Sequence, residues 1–292
     1  MHGTRNEHSF AQRQRFRFIE SILLWEGSVQ RRRVCDQFGI AANHVTKDLR
    51  TYQDERPDSL EFKPNIRAYV PGPKFEPAYA SDDPNEYLAL LLAHAQSGSS
   101  MILPALGGDG VSAEAVPDPN QIIDRSVLQT LIRALRTKRG VSVLYYSTSD
   151  DRARRRTVWP QALVHTGLRW HVRAYDSRRA EFRNFALQRM DRPSAVDEEK
   201  PEGSGEDDAW INTIKVDVVP NPKLNDHQKR LAARDFGMRK KKGRWCWTVE
   251  LRRCLVPYFA RRYGLSAPPP LDPKRHRIVF DDFESVRKLL FD

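Results

Sequence analysis

The segment from residue 157 to residue 190 constrains the fold most strongly, because its apolar and polar residues alternate strictly. It reads TVWPQALVHTGLRWHVRAYDSRRAEFRNFALQRM, and this alternation predicts three short β-strands. Over residues 169–175, side chains that alternate in direction place Trp170, Val172 and Ala174 on the core face of one strand. The opposite face carries three possible cations and a phenol, namely Arg169, His171, Arg173 and Tyr175. The strand holds no carboxylate to neutralise them, so this face would attract an anion.

Length and composition limit the class of protein. A chain of 292 residues suits two or three domains, and 39% hydrophobic residues are enough for ordinary cores. No apolar run approaches the roughly 18–20 residues of a membrane span, and the N-terminal residues show no apolar signal segment. The cysteines, Cys35, Cys246 and Cys254, form no CxxC pair, which argues against a disulfide framework or a zinc site. We therefore expect a cytoplasmic protein without a metal site or a cofactor.

The net charge of +11 is unevenly distributed along the chain. Residues 1–70 carry +3, whereas residues 120–195 and 209–292 carry +10 each. The two intervening segments, 71–119 and 196–208, carry −6 each. Basic blocks of this size are typical of proteins that bind nucleic acid or another polyanion, although a solvated surface of high pI would show the same excess.

Composition also predicts the domain boundaries. The acidic strip 196–208 and the Gly-, Ser- and Pro-rich stretch 97–119 are typical of linkers. They separate a helical domain at 1–96, a β-rich domain at 120–195 and a domain of mixed strands and helices at 209–292. The predicted fold class is therefore α+β with several domains.

The first domain is predicted to contain three helices followed by a β-hairpin. The periodicity gives helices at 12–25, 29–38 and 42–53, and strands at 60–63 and 66–70. Gly27 and Gly39 separate the helices, and Ser28 is the predicted N-cap of the second helix. This layout is that of a winged helix-turn-helix, in which the third helix enters the DNA major groove.

The third predicted helix carries a polar face opposite its apolar stripe. Side chains on this face could contact base edges or phosphates, and they are Asn43, His44, Thr46, Lys47 and Arg50. Arg67, on the hairpin, would reach the DNA backbone beside the groove. The alternative is a helical core domain whose polar face is merely solvated.

Three parts of the chain resemble one family of regulators. The strings GIAANHVTKDLRTYQ and PDSLEFKPNIRAYVPG resemble the N-terminal domain of WYL-containing bacterial regulators, most of all the BrxR/CapW-type repressors associated with phage-defence loci. The string PQALVHTGLRWHVRAY, with EFRNFALQRM, looks like the WYL domain of that subfamily, where Trp-His replaces Trp-Tyr. The strings VPNPKLNDHQKRLAARDFGM and VELRRCLVPYFARRYGL are similar to the C-terminal WCX extension.

This resemblance implies an Sm-like β-barrel at about 120–195, with a leading helix at Ile122–Thr137 and a first strand at Val141–Ser149. A polar pocket on the barrel would be lined by Tyr145, Ser147, Arg169, His171, Arg173, Arg183 and Arg189. Arginine forks suit phosphate oxygens and aromatic rings suit stacked bases, so the expected effector is a nucleotide or a short oligonucleotide. Gln161 stands where this subfamily carries a histidine, which bears on the identity of the ligand.

Some of these residues also have a purely structural interpretation. Arg183 or Arg189 could form an ion pair within the domain, and the candidate partners are Asp176 and Asp191. His171 could be a buried histidine whose ring is satisfied by a neighbour.

Four further features have a structural interpretation. Trp170 and Tyr146 are expected in the core. The basic runs at 152–156 and 239–242 are expected to form a solvated loop and a solvated turn, respectively. The alternatives are that the first run contacts DNA or an oligonucleotide and that the second contacts phosphate.

The last domain alternates strands and helices. We predict strands at 213–219, 244–252 and 277–281, and helices at 224–236, 254–263 and 283–291. This order resembles a ferredoxin-like sheet covered by helices on one side. In the family such extensions support dimerisation, so a homodimer is expected.

The leading functional hypothesis is a ligand-responsive DNA-binding transcriptional repressor. A homodimer would bind an inverted-repeat operator in double-stranded DNA, and the nucleotide or oligonucleotide effector would change its affinity for that operator. The resemblance implies repression and the control of a phage-defence operon.

Two other classes of function remain as alternatives. A nuclease or nucleotide hydrolase could use His171 with Tyr145 or an arginine, but the sequence lacks paired carboxylates, metal-ligand spacing and a GxxxxGK[ST] loop. No catalytic residue is therefore expected. An Sm-like RNA-binding module is the other alternative, and a winged helix-turn-helix argues against it.

Overall fold

The computed structural model describes residues 8–97, 113–119, 121–268 and 272–290. The chain divides into two compact units, residues 1–118 and residues 119–292. Most of the predicted linker at 97–119 lies outside the described residues. Within the described ranges, no helix is both long enough and apolar enough to cross a lipid bilayer.

The first unit contains the three helices and the hairpin that the sequence predicts. Its elements are α1 (Phe10–Glu26), α2 (Arg31–Phe38), α3 (Ala42–Glu55), β1 (Leu60–Lys63), β2 (Ala68–Pro71) and α4 (Pro84–Ser97). The strands β1 and β2 pair antiparallel, with Leu60 opposite Pro71. Gly27 and Gly39 end α1 and α2 in the left-handed conformation that glycine adopts readily.

The second helix begins later than the sequence predicts. Its N-cap position is occupied by Gln30 rather than by Ser28, so the N-cap prediction is wrong. Val29 instead forms a two-way backbone bridge with Tyr69 of β2, with N···O distances of 2.8 and 2.9 Å. Residue 29 is therefore extended, and the bridge ties the start of the helix-turn-helix to its wing.

A buried carboxylate joins the elements of the first unit. Glu20 of α1 is fully buried and accepts a 2.7 Å hydrogen bond from the hydroxyl of Tyr52 in α3. Its other oxygen accepts hydrogen bonds from the backbone N–H groups of residues 78–80, with N···O distances of 2.6–2.9 Å. Burial and the adjacent carboxylate raise the pKa of Tyr52, so its hydroxyl remains a donor. This cluster fixes α3 against α1 and the segment that follows the wing.

The hydrogen bond between Tyr52 and Glu20 gives a first testable prediction. Tyr52→Phe should lower the free energy of opening of the first unit by about 1.5–3 kcal/mol, because the lost bond is made to a charged, buried acceptor. Native-state hydrogen exchange of the amides in α1 and α3 measures this energy. Tyr69→Phe is the matched control, since its hydroxyl makes no hydrogen bond to any described residue. Equal losses in the two variants would contradict the account.

The second unit begins with a helix and a five-stranded sheet. The elements are α5 (Arg125–Thr137), β3 (Gly140–Tyr145), β4 (Arg154–His165), β5 (Trp170–Asp176), β6 (Glu181–Ala186) and β7 (Met190–Val196). The strands are antiparallel in the order β6-β5-β4-β3-β7, so the fifth strand returns to lie beside the first. This order, after a leading helix, agrees with the predicted Sm-like architecture. Val127 and Leu131 of α5 pack on the same core as Val172 and Ala174 of β5.

Two aromatic residues predicted to lie in this core are exposed. Trp170 is 46% exposed and Tyr146 is 52% exposed, so both core predictions are wrong. Trp170 is the first residue of β5, at the rim of the sheet, where its ring packs against His165 with centroids 5.0 Å apart. Strand β3 ends at Tyr145, so the predicted alternation does not continue through Tyr146.

The basic run at 152–156 is not a solvated loop as predicted. Strand β4 begins at Arg154, and Arg156 is buried within the sheet. Its guanidinium donates to Asp176 at 2.8 Å and to Asp150 at 3.0 Å. A buried arginine requires such partners, since an uncompensated charge away from water is costly.

The C-terminal part of the second unit forms a separate four-stranded sheet. Its elements are α6 (Asp208–Ile211), β8 (Thr213–Pro220), α7 (Asp226–Asp235), β9 (Arg239–Lys241), β10 (Arg244–Arg252), α8 (Val256–Arg262), β11 (Ile278–Phe280) and α9 (Phe283–Arg287). The strand order is β11-β8-β10-β9, with antiparallel pairs, as expected for a ferredoxin-like arrangement. Residues 239–241 form a strand rather than the predicted turn, and Lys241 pairs with Asp217 at 2.6 Å.

A buried ion pair connects the five-stranded sheet to the segment that leads into the C-terminal sheet. Arg173 of β5 donates two hydrogen bonds to Asp207, at 2.6 and 2.7 Å, and both residues are buried. Asp207 lies in the acidic strip and also caps α6, where it accepts the N–H of Trp210. A carboxylate of the predicted linker therefore neutralises an arginine on the polar face of β5.

The ion pair between Arg173 and Asp207 gives a second prediction. Arg173→Met and Asp207→Asn should each lower the free energy of unfolding of the second unit by about 3–5 kcal/mol, because each leaves one buried partner unpaired. The double variant should lose much less than the sum of the two, and urea unfolding of the full chain measures all three. The exposed pair Arg287 and Glu284 is the control, with an expected coupling below about 1 kcal/mol. Strictly additive losses for the buried pair would contradict this prediction.

Candidate functional site

The polar face of α3 is presented to solvent by the packing of its opposite face. Val45, Leu49 and Tyr52 are buried on one stripe, and Asp48 is held by Arg15 of α1 at 2.6 Å. Four of the residues predicted to contact DNA are exposed on the other side, namely Asn43, His44, Lys47 and Arg50. The geometry therefore leaves one amide, one imidazole and two cations available to contact a DNA groove.

Thr46 differs from its neighbours because its hydroxyl already has partners. It is half-buried, donates to the carbonyl of Ala42 at 2.9 Å and accepts from Arg31 of α2 at 3.2 Å. Arg31, which the sequence analysis did not single out, therefore lies beside the recognition face. Arg67 is exposed at the tip of the wing, in the left-handed region with φ 51°.

The second unit contains a cavity of about 510 Å³ between the five-stranded sheet and α8. One wall comes from the sheet and its turns, and the other from α8. The described lining residues are Tyr145, Thr148, Thr166, Gly167, Leu168, Arg169, His171, Asn184, Ala186, Arg189, Tyr258, Arg261 and Arg262. A volume in this range is typical of sites for small ligands. We call this space the arginine cavity.

The arginine cavity is strongly basic. Four arginines line it, and none of its described lining residues is an aspartate or a glutamate. Among the described residues, Arg169, Arg189 and Arg262 form no ion pair with a carboxylate. Their charges are therefore available to an anion, and guanidinium groups bind phosphate oxygens in a fixed, two-pronged geometry.

His171 faces this cavity as a neutral ring. The residue is only 7% exposed, and its Nδ1 atom has no hydrogen-bond partner within the described part of the chain. The pKa of His171 is lowered to about 4, chiefly by burial; a backbone hydrogen bond with Arg169 opposes this shift, and the charges of Arg169 and Arg189 add to it. A buried nitrogen without a partner is costly, so the ring is suited to hydrogen-bond a bound ligand.

The arginine cavity brings together four of the seven residues that the sequence predicts as ligand-binding. These are Tyr145, Arg169, His171 and Arg189. Tyr145 is buried, packs edge-on against Phe185, and its hydroxyl accepts the N–H of Ala186 at 3.3 Å.

The other three predicted residues lie elsewhere. Arg173 is bound by Asp207, and Arg183 pairs with Glu181 at 3.4 Å; both line a second cavity of about 590 Å³. Ser147 lies beyond the end of β3 and hydrogen-bonds Ser149 at 2.9 Å. Asp176, considered as a partner of Arg183, is occupied by Arg156.

The α8 wall of the arginine cavity was not predicted from the sequence. Tyr258, Arg261 and Arg262 have the spacing i, i+3, i+4, which places them on one face of a helix. That spacing is visible in the sequence as a basic and aromatic stripe. Its relation to β5 is not visible, because the two segments are far apart in the chain.

A winged helix-turn-helix, a five-stranded sheet domain and a C-terminal α+β domain define a class of transcriptional regulator. Three family models match the chain: the BrxR transcriptional regulator winged helix-turn-helix domain at residues 11–93, the WYL domain at 126–194, and the BrxR C-terminal dimerization domain at 213–286.

Curated relatives of this chain share one name. The chain is 35% identical over 231 residues to the DNA-binding transcriptional repressor CapW of Escherichia coli (strain KTE188), covering 78% of this chain and 76% of that protein. It is 31% identical to CapW of Pseudomonas aeruginosa (88% and 84%) and 29% identical to CapW of Stenotrophomonas maltophilia (96% and 92%). The chain belongs to the BrxR/CapW family of transcriptional regulators.

The environment of His171 gives a third prediction. Its ring should titrate near pH 4 in the ligand-free protein, which NMR of the imidazole nitrogens can measure. Because the folded-state pKa is lower than the ordinary value of about 6.5, the unfolded chain binds the proton more readily between these two values. Stability should therefore fall as the pH drops from about 6.5 to about 4, and His171→Gln should reduce this loss. A ring that titrates near 6.5 would contradict the account.

Proposed function

We propose that this protein is a homodimeric, DNA-binding transcriptional repressor. Its affinity for the operator would change when an anionic nucleotide or oligonucleotide binds in the arginine cavity. The observation that carries the ligand-sensing part is the cavity itself, where four arginines meet without a carboxylate among the described lining residues. The match to CapW repressors and to a dimerization domain supports the repressor part.

DNA reading is assigned to α3 and the wing. Asn43, Lys47 and Arg50 are exposed on the face away from the core, and Arg67 lies at the wing tip. Asparagine can pair with adenine and arginine with guanine in the major groove, while lysine and the wing arginine suit phosphates. In a symmetric dimer the two recognition helices would read the two halves of an inverted repeat.

Ligand sensing is assigned to the second unit. An effector can change operator affinity only if it binds the DNA-competent and DNA-incompetent arrangements of the dimer unequally. The arginine cavity lies against the C-terminal sheet domain, which is matched by the dimerization family. A ligand there is therefore well placed to favour one dimer arrangement. We also propose a phage-defence operon as the regulated target, on the strength of the family resemblance.

Operator binding is tested with Arg50→Ala in the full chain. The binding is measured by fluorescence anisotropy with duplex DNA from the promoter region of the protein's own gene. If Arg50 reads a base, the binding free energy should fall by about 1–3 kcal/mol, with relaxed specificity at one base position. Arg287→Ala, an exposed arginine of the other unit, should bind normally. If Arg50→Ala binds the duplex as tightly as the unaltered protein, the assignment of α3 as the reading helix is wrong.

The sensing role is tested with Arg169→Gln. Addition of hexathymidylate or AMP should lower the operator affinity of the unaltered protein, and Arg169→Gln should bind the operator normally but lose this response. Arg287→Gln is the charge-matched control and should keep it. A response that persists in Arg169→Gln, or that is absent from the unaltered protein with both probes, would contradict ligand sensing at this cavity.

A further inference from the structure

The arginine cavity is built by two domains. Arg169, His171 and Arg189 belong to the five-stranded sheet domain, whereas Tyr258, Arg261 and Arg262 belong to α8 of the C-terminal domain. Half of its cationic side chains therefore come from outside the domain that the sequence identifies as the sensor.

Direct side-chain contacts connect α8 to strands β5 and β6 of the sheet domain. The ring of Tyr258 packs on the ring of His171, with centroids 5.2 Å apart. Tyr258 also hydrogen-bonds the side chain of Asn184 in β6. The buried Nδ1 of His171 is thus flanked by an aromatic side chain of α8 and lacks a hydrogen-bond partner among the described residues.

A glycine in the turn between β4 and β5 leaves room for an α8 arginine. A Cβ atom on Gly167 would lie 2.8 Å from both Cδ and Nη1 of Arg262, closer than side chains tolerate. Gly167 also has φ +90°, a conformation that other residues rarely adopt. The guanidinium of Arg262 therefore lies directly against the turn that carries Arg169.

Like charges from the two domains line the same cavity. Without an anion, the guanidinium groups of Arg169 and Arg262 repel each other. A phosphate between them would reverse the sign of the interaction, since both would then be attracted to the same group. The interaction between the two domains at this cavity therefore depends on whether an anion is bound.

We propose that Arg262 and Tyr258 of α8 are ligand-binding residues, and that a phosphate-bearing ligand is clamped between the five-stranded sheet and α8. This inference rests on the proposed function and specifies its mechanism. Clamping draws the dimerization domain against the sensor domain, which converts ligand occupancy into a change at the dimer. A phosphomonoester such as AMP and the phosphodiesters of an oligonucleotide offer the same chemistry to the arginines.

The test compares two arginine variants that differ in their distance from the cavity. Arg262→Gln removes a proposed clamp residue, whereas Arg253→Gln removes an exposed arginine just before α8 that lines the second cavity and is not among the described lining residues of the arginine cavity. Isothermal titration calorimetry of the full-length protein with hexathymidylate and, separately, with AMP should show about a tenfold or greater loss for Arg262→Gln. Arg253→Gln should bind like the unaltered protein, and Arg262→Lys should bind with intermediate affinity.

Salt dependence gives a readout that a general structural defect would not produce. For a single-stranded probe, loss of one phosphate contact should reduce the slope of log affinity against log salt by about 0.7 in Arg262→Gln. An unchanged slope and affinity in this variant would overturn the clamp.

Hydrogen exchange separates this inference from the proposed function. With hexathymidylate bound, amides in residues 256–262 should exchange more slowly, together with those of β5 and the β4–β5 turn. Protection of β5 and the turn without α8 would leave the cavity as the sensor and overturn the clamp. Failure of the unaltered protein to bind either probe would overturn the proposed function as well.

Discussion

The buried ion pair between Arg173 and Asp207 is the interaction on which the arrangement of the second unit depends. Taking both charges out of water is costly, and their mutual hydrogen bonds at 2.6 and 2.7 Å offset that cost only in this geometry. The pair joins the five-stranded sheet to the start of the C-terminal domain, since Asp207 also caps α6. Near that junction, Tyr258 of α8 packs on His171 of β5, and both residues line the arginine cavity.

The charges of the second unit are divided between structure and binding. Arg156 and Arg173 are buried and neutralised by carboxylates, so they stabilise the fold. Arg169 and Arg189 form no ion pair with a described carboxylate. They line the same cavity as the neutral ring of His171. The first unit makes the same division, because Arg15 holds Asp48 inside while Arg50 stays exposed. A basic composition is therefore only a guide to binding, and the partners of each arginine decide its role.

Much of the fold could be predicted from the sequence, because its elements have strong local signals. The helix periodicity and Gly27 and Gly39 gave the order of the first domain, and the alternation in 157–190 gave the sheet. Several of the errors occurred at element ends. Trp170 obeys the alternation, but as the first residue of β5 it extends past the core that covers Val172, and local pattern carries no information about that limit.

The candidate site was predictable where its residues lie in the sheet domain that the sequence predicts. Arg169, His171 and Arg189 come from the string with the clearest family resemblance, and they do share a cavity. Arg173 belongs to the same face of the same strand, yet its role is decided by Asp207, 34 positions further along the chain. The contribution of Arg262 depends likewise on the packing of α8 beside Gly167. Such pairings arise from tertiary structure, and no periodicity within either segment encodes them.

The central claim is that operator and ligand act on one equilibrium through different units of the chain. Its most direct test is the affinity of the protein for hexathymidylate, measured by calorimetry with the protein free and with it saturated by operator duplex. Linkage requires the ligand affinity to change by the same factor by which the ligand changes operator affinity. The account predicts weaker binding to the operator-saturated protein, by that factor. Equal affinities for the free and the operator-saturated protein would contradict it.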